Sequence, residues 1–396
     1  MKTIFLVFLN VFSVVFATAQ NAPNRKALFE VLPTFGQTPE TGTQLGVNFF
    51  GLLDFAKGDT TARTSRFYLW AFYTTKNQYG ANGSWQIFTQ HERINSSGNA
   101  HVGLWVDRYY PVSNKANARV IEYRGGKPIE FNYANYLYSF ANFSGNFDRK
   151  IAPHFFAGLS GEFDVSYDSK FQADSLSIIS GKFDLKRNDA RRVGIGVNLI
   201  YDTRDIIENP LKGTNISLTS MVYRKFIGST VNYQSVVFDA RQYIHTFKNQ
   251  TLALRLVNEY HEANDKSDIP LRGLSYNGGV STIRGYYQGT FRSNNLLGFE
   301  TEYRLPINIV DDAEFFEFWK RIGIVGFASA VKVSRNYSNL YTGFGDFHVA
   351  LGVGVRYALH IKQRINVSVD YAVGLDKIAG QGIHPTGLYF ALGEAF

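Results

Sequence analysis

The chain has 396 residues, a formal net charge of +8, an aromatic content of 16 % and no cysteine. An exported chain without cysteine draws no stability from disulfide bonds. The basic excess favours anionic lipid head groups or an anionic passenger as partners, and the absence of any nucleic-acid motif argues against a nucleic-acid partner.

Residues 1–19 have the three parts of a secretory signal peptide. These are a positive charge at Lys2, the apolar stretch Ile4–Phe16 and the small-residue cleavage site Ala17–Ala19. A membrane anchor helix is the alternative, but this stretch is shorter than the about 20 apolar residues that span a bilayer. We therefore expect an exported chain whose folded part is residues 20–396, and no metal or cofactor is indicated.

Short segments rich in aromatic and β-branched residues follow one another along the rest of the chain, separated by Gly, Asn, Ser or Pro. We interpret them as strands at Ala27–Gly36, Thr41–Phe55, Ser65–Tyr79, Gly80–His91, Ala100–Tyr110, Asn132–Arg149, His154–Ser169, Arg192–Asp202, Thr214–Lys225, Val231–His245, Thr251–His261, Asn295–Leu305, Arg321–Val333, Phe347–Leu359, Arg364–Gly374 and Thr386–Phe396. The first strand starts so early that we expect no N-terminal periplasmic domain. Pro39–Gly42 has the proline and glycine of a hairpin turn.

Three of these strands alternate clearly between apolar residues and glycine, small or polar residues: Arg192–Asp202, Phe347–Leu359 and Arg364–Gly374. Such strands offer one face to lipid and one to a water-bearing interior, and the many aromatic residues suit belts at the two membrane interfaces. Because lipid cannot satisfy an open sheet edge, the strands must close. The predicted fold is all-β: a transmembrane antiparallel β-barrel of about 16 strands, preceded by a cleaved signal peptide.

The stretch Ser281–Pro306 joins a long glycine-rich loop to a strand with a charged inner face. Arg284 lies in the loop, which we place at residues 261–294, and Glu302 lies on the strand face opposite Phe299. A guanidinium can bind a carboxylate through two parallel hydrogen bonds. Alone, Arg284 would be interpreted as a solvated loop arginine, but together the two residues predict a loop folded toward the lumen and pinned there.

The pattern Ile283-Arg284-Gly285-Tyr286 with Glu302 resembles the sixth loop and following strand of the BamA/TamA superfamily of outer-membrane barrels, here in a form without periplasmic domains. The resemblance implies a lumen loop anchor made of Arg284, Gly285, Tyr286 and Glu302. It also implies an inward Asp on the next strand, in a Phe-x-Asp-x-Gly pattern. Ser329 stands at that position, so we expect it close to Arg284 in a modified anchor.

Two further segments resemble the same superfamily. The turn Asp202-Thr203-Arg204-Asp205, with Pro210 and Gly213 behind it, matches a periplasmic turn motif. Taken alone, those charges equally fit an ordinary turn joined by local ion pairs. The terminal Phe396 matches the C-terminal signal of outer-membrane barrels, whereas Glu394 departs from it because an apolar residue is usual there.

The resemblance implies a protein of the outer membrane of a Gram-negative bacterium that assists insertion of outer-membrane proteins or protein translocation. Outer-membrane lipid and lipopolysaccharide would surround it, and its partners would be client outer-membrane proteins and periplasmic partner proteins. The alternative is a passive channel or structural barrel without assembly activity. An enzyme is not expected, because the eight His have no metal-ligand spacing and no Gly-x-Ser-x-Gly motif occurs.

Overall fold

The computed structural model describes residues 28–38, 42–56, 59, 62–109, 120–124, 127–131, 134–171, 185–247, 249–279, 282–306, 321–361, 364–377, 384–394 and 396. The predicted signal peptide and most of the Pro39–Gly42 turn lie outside these residues. Within the described part of the chain, no helix has the length and apolar character needed to cross a membrane.

Sixteen strands form one antiparallel sheet, in chain order, which confirms the predicted fold class and strand number. They are β1 Leu28–Thr38, β2 Gly42–Leu53, β3 Ser65–Thr74, β4 Tyr79–Phe88, β5 Ile94–Tyr109, β8 Ala134–Ala152, β9 Phe155–Phe171, β10 Ala190–Asp202, β11 Gly213–Tyr223, β12 Tyr233–His245, β13 Thr251–Glu262, β16 Asn295–Pro306, β17 Ile322–Ser334, β18 His348–His360, β19 Ile365–Gly374 and β20 Thr386–Leu392. Two hairpins stand apart from this sheet: β6 Val120–Arg124 with β7 Lys127–Phe131, and β14 Ser275–Asn277 with β15 Phe291–Ser293.

The sheet carries its apolar face outside and its polar face inside. On β10, Ile195, Val197 and Leu199 are 57 %, 55 % and 50 % exposed, while Asn198 between them is 1 % exposed. A soluble sandwich would bury the apolar face, so this reversal identifies the outer surface as the lipid-facing one. The alternation that the sequence shows on β10, β18 and β19 is therefore the alternation between lipid and lumen.

The even number of strands brings the start of β1 and the end of β20 to the same end of the barrel, which we call the terminal end. The opposite, loop end carries the longest described connection, residues 263–294 between β13 and β16, which we call the long loop. Its side chains Ile269, Leu271 and Ile283 are fully buried. Because they pack against inward side chains of the barrel wall, the long loop lies inside the lumen.

The β10–β11 turn, residues 203–212, extends over the lumen at the terminal end. Its Ile207 is 7 % exposed. Asp205 binds Arg364, beyond β18, at 2.7 Å, and Asn209 Oδ1 accepts a hydrogen bond of 3.2 Å from Arg304 on β16. Since these partners lie three or more strands away around the sheet, the turn extends over the opening instead of standing beside it.

The seam between the first and last strands is the weakest part of the sheet. β20 pairs with β19 only from Thr386 to Leu392, and the described residues show no hydrogen-bonded register between β20 and β1, although the two strands are adjacent. At the terminal end, Phe50 and Leu52 on the inner face of β2 pack against Ile365. Ile365 lies at a position of β19 whose side chain points outward. The C-terminal edge therefore lies inside the N-terminal edge, and the two overlap.

Candidate functional site

Arg284 of the long loop lies at the centre of a buried cluster of charges inside the barrel. Its side chain is 1 % exposed. The Nη2 atom lies 2.5 Å from Glu302 Oε1 on β16, and Nη1 lies 2.6 Å from Asp370 Oδ2 on β19. The guanidinium also stacks over the Phe327 ring, 3.5 Å from its centroid. One arginine thus joins the long loop to three strands of the wall.

These contacts extend into a closed circuit of six alternating charges, which we call the ion-pair ring. Arg304 contacts Glu302 at 2.9 Å and Glu394 at 3.9 Å, and Arg356 contacts Glu394 at 2.7 Å and Asp370 at 2.5 Å. In order, its members are Arg284, Glu302, Arg304, Glu394, Arg356 and Asp370. Every side chain in it is at most 7 % exposed. Three cations and three anions balance, which a set of buried charges requires.

The ring differs from the predicted anchor at its third position. The structure does not bring Ser329 into the contact: its hydroxyl is buried and has no hydrogen-bond partner among the described residues. Asp370, two strands further along, supplies the second carboxylate instead. Asp370 and Arg356 both occupy inward positions of strands with clear alternation. The sequence therefore indicated that both side chains point into the lumen, but it did not indicate that they pair.

Gly285 and Tyr286 attach the long loop to the strands beside the seam. Gly285 has a φ of +105°, and a Cβ there would lie 2.8 Å from the backbone nitrogen of Gly374. Its N–H donates to the Tyr389 hydroxyl at 2.9 Å. The Tyr286 hydroxyl lies 2.8 Å from Asp376 Oδ2, and burial raises the pKa of this phenol, so it remains a donor. A side chain at residue 285 would push the loop off β19.

The opposite wall holds the long loop through a second set of charges, which we call the far-wall cluster. Arg272 binds Asp164 on β9 at 2.6 Å, and Arg192 on β10 binds the same carboxylate at 3.2 Å. Arg272 also stacks over the Phe140 ring at 4.5 Å. Sequence reasoning missed this cluster, because its members are far apart in the chain and resemble no motif. The long loop is thus fixed on both sides of the lumen.

The turn motif at the end of β10 combines local and distant contacts. Asp202 accepts hydrogen bonds from Arg204 at 2.9 and 2.8 Å, which is the local pairing expected of a charged turn. Arg63, from the connection between β2 and β3, reaches the same carboxylate at 2.5 Å. The Thr203 hydroxyl accepts the Thr214 N–H at 2.9 Å. With Asp205 bound to Arg364, the motif fixes the turn that extends over the terminal end.

The C-terminal residues leave the sheet and enter the lumen. We expected the last strand to run to Phe396, but β20 ends at Leu392 because Gly393, at φ +98°, turns the chain inward. Phe396 is 8 % exposed, packs with Tyr243 on β12, and its carbonyl oxygen accepts a hydrogen bond of 2.9 Å from Arg304. The unusual Glu394 is thereby explained: it points into the ion-pair ring instead of toward lipid.

Comparison with known proteins gives a family and a fold. Residues 41–396 match the family described as the Omp85 superfamily domain. No curated protein sequence matches. BamA from Haemophilus ducreyi lacking POTRA domains 1–3 superposes with a TM-score of 0.55 and 13 % identity, over 93 % of this chain and 70 % of that chain.

CdiB proteins give similar matches. CdiB from Acinetobacter baumannii has a TM-score of 0.53 and 10 % identity, over 92 % of this chain and 59 % of its own. CdiB from Escherichia coli has a TM-score of 0.55 and 8 % identity, over 93 % and 63 %. At such identities the solved structures establish a shared fold.

Proposed function

The chain belongs to the Omp85 superfamily, and from that premise we propose that it is an outer-membrane barrel that assists insertion of outer-membrane proteins or protein translocation, and that it works at the seam between β1 and β20. The single observation that carries the proposal is the seam: among the described residues, β1 and β20 are adjacent but share no strand pairing, whereas every other neighbouring pair in the sheet does.

Two segments that lie in the lumen argue against the alternative of a passive channel. The long loop is fixed to β16 and β19 through Arg284 and to β9 through Arg272. The β10–β11 turn covers the other opening through Asp205. A porin leaves a water-filled channel, whereas here two separate segments of the chain occupy the path.

The seam supplies what an assembly factor needs. β1 spans Leu28–Thr38 and pairs with β2 on one side, and no described strand forms a ladder with it on the side of the seam. Unpaired backbone N–H and C=O groups at an edge accept an additional strand readily, and they are costly to leave unsatisfied in lipid. An incoming strand of a client outer-membrane protein would satisfy them.

We propose four classes of partner on the same basis. Outer-membrane lipid and lipopolysaccharide surround the apolar outer face, client outer-membrane proteins meet the seam, and periplasmic partner proteins deliver the clients. The proposed role needs no enzymatic chemistry and no cofactor.

The test is to lock the seam chemically. Val31→Cys on β1 and Leu388→Cys on β20 are both at exposed positions, and they are the two sites chosen for a bismaleimide link. The matched control joins Val31→Cys to Phe49→Cys, which are register partners on β1 and β2. We expect the seam link, and not the control link, to block insertion of a client barrel into proteoliposomes. Full insertion with a locked seam, or a large steady conductance of the unlocked protein, would instead support the passive channel.

A further inference from the structure

A cavity of about 1110 Å³ remains inside the barrel, between the two segments that lie in the lumen. Tyr276 and Tyr287 of the long loop bound it on one side, and Ile207 and Glu208 of the β10–β11 turn bound it on the other. Among the described residues, these two segments lie between the cavity and the ends of the barrel. An opening in the wall would give a ligand a route that avoids both segments.

The wall of the cavity is interrupted at the seam. On β2, β3 and β8 only alternate residues line it, for example Arg66, Tyr68 and Trp70, as expected of a continuous sheet. On β1 the consecutive residues Leu32–Thr34 line it, and on β20 the consecutive residues Thr386–Ala391 do so. Consecutive residues expose both faces of a strand, so the cavity extends through the gap between the two overlapping edges.

The gap is apolar. Leu388 and Phe390 on the outer face of β20 are 48 % and 49 % exposed, yet they line the same cavity as Leu32 and Phe50. Val367 of β19 extends this surface. The gap therefore joins the cavity to the lipid-facing surface through a slot whose walls are aliphatic and aromatic, which is the environment that an alkyl chain requires.

The part of the cavity near the β10–β11 turn is basic. Arg66, Arg204 and Arg241 line it together. The Arg66 side chain is 38 % exposed to the cavity, and its nearest ion-pair partner, Glu208, is 3.8 Å away. Arg204 and Arg241 each use Nε and Nη2 on their own aspartates, and within the described residues their Nη1 atoms make no hydrogen bond. Unused guanidinium donors in a shared cavity favour an anion.

We propose that this cavity binds an amphiphile with an anionic head group, taken laterally from the bilayer. The phosphate or carboxylate lies against Arg66, Arg204 and Arg241, and the alkyl chains leave between β1 and β20 along Leu32, Leu388 and Phe390. The arginines of the cavity would bind the anionic head group, and the apolar slot would hold the alkyl chains. A client peptide strand would instead use the backbone edge of β1 and has no need of three arginines. The inference is independent of the proposed assembly activity.

Tryptophan fluorescence can test the proposal in the whole protein. Trp70 lines the cavity, whereas Trp85 stacks on the lipid-exposed Phe143 at 5.5 Å and reports the surrounding bilayer. Two variants keep one of these tryptophans and replace the remaining three by phenylalanine. The probes are brominated phosphatidylglycerol and brominated phosphatidylcholine, each added to phosphatidylcholine vesicles that contain the folded barrel.

We expect brominated phosphatidylglycerol to quench Trp70 at a mole fraction about fivefold below that needed for Trp85, and brominated phosphatidylcholine to show no such preference. Arg66→Gln should abolish this preference, because the loss of one charge-assisted hydrogen bond weakens binding by about tenfold. The exposed Arg149→Gln is the control for general attraction of anionic lipid and should leave it unchanged. A change in electrophoretic migration between unheated and heated samples verifies that each variant is folded.

Competition identifies the ligand. Inorganic phosphate that relieves the quenching only at high concentration indicates a lipid head group, whereas relief at low concentration would reduce the site to one for free anions. Equal quenching of Trp70 and Trp85 by both lipids would overturn the proposal. So would a response of Trp70 to a peptide of residues 386–396 and not to lipid, because it would identify the cavity as a peptide site.

Discussion

The two walls that hold the long loop use the same chemistry on very different supports. Asp164 in the far-wall cluster and Glu302 in the ion-pair ring are both almost fully buried carboxylates that each bind two arginines. Asp164 belongs to β9, which pairs with long strands on both sides. Glu302 is connected through Arg304 to Glu394, in the segment that follows the seven-residue strand β20 at the seam. The same kind of ion pair therefore fixes the long loop to a well-paired part of the sheet at Asp164 and to the region beside the seam at Glu302.

The largest loss of folding stability should be the same whether the ion-pair ring or the far-wall cluster is disrupted. Glu302→Ala leaves Arg284 and Arg304 without a shared carboxylate, and Asp164→Ala leaves Arg192 and Arg272 in the same condition. Removing one partner from a buried ion pair costs about 3–5 kcal/mol. We expect both variants to lose stability in this range in urea unfolding of the micelle-bound barrel. A loss below about 1 kcal/mol in either variant, as for an exposed pair, would show that its charges are hydrated.

A smaller loss of stability, together with protease sensitivity of the C-terminus, should distinguish the ion-pair ring from the far-wall cluster. Glu394→Gln removes the charge that Arg356 binds at 2.7 Å and opens the ring at the C-terminal segment. We expect a loss of about 1–3 kcal/mol, the range for a hydrogen bond to a charged group. Carboxypeptidase should then remove residues 393–396 faster, while the same residues stay protected in Asp164→Ala. Equal protection in both variants would show that the ring does not hold the C-terminus.

The smallest effect should come from Ser329. Its buried hydroxyl has no hydrogen-bond partner among the described residues, so Ser329→Ala breaks no contact. We expect the free energy of unfolding to change by less than about 0.5 kcal/mol. A loss above about 1 kcal/mol would indicate that Ser329 belongs to the anchor after all.

The sequence was informative where structure follows from alternation or from a short motif. The barrel and its sixteen strands follow from the period of two, as β10 and β18 illustrate, whereas the early start of β5 at Ile94 and the two separate hairpins were not predicted. The contact of Arg284 with Glu302 was foreseeable because the two residues are 18 positions apart and carry a recognisable pattern. The far-wall cluster was not, since Arg272 and Asp164 are 108 positions apart and meet only when the barrel closes.

The C-terminal segment shows a second limit. The alternation at Leu388 and Phe390 continues by pattern to Phe396, and it predicts one strand to the end of the chain. A single glycine in the left-handed region, Gly393, ends that strand and turns Glu394 and Phe396 into the lumen. Glycine is common in these strands, so its presence alone does not indicate which one will adopt a positive φ.

The most direct test of the difference between the walls is a distance measured across the seam. Spin labels at Leu45 on β2 and Tyr371 on β19, both on the exposed outer face, bracket β1 and β20. Pulsed electron resonance should give one narrow distance distribution for the unmodified protein. Breaking the ring with Glu302→Ala should shift or broaden that distribution, and breaking the far-wall cluster with Asp164→Ala should leave it unchanged. The same distribution in all three proteins, or a shift in Asp164→Ala alone, would contradict the coupling of the long loop to the seam.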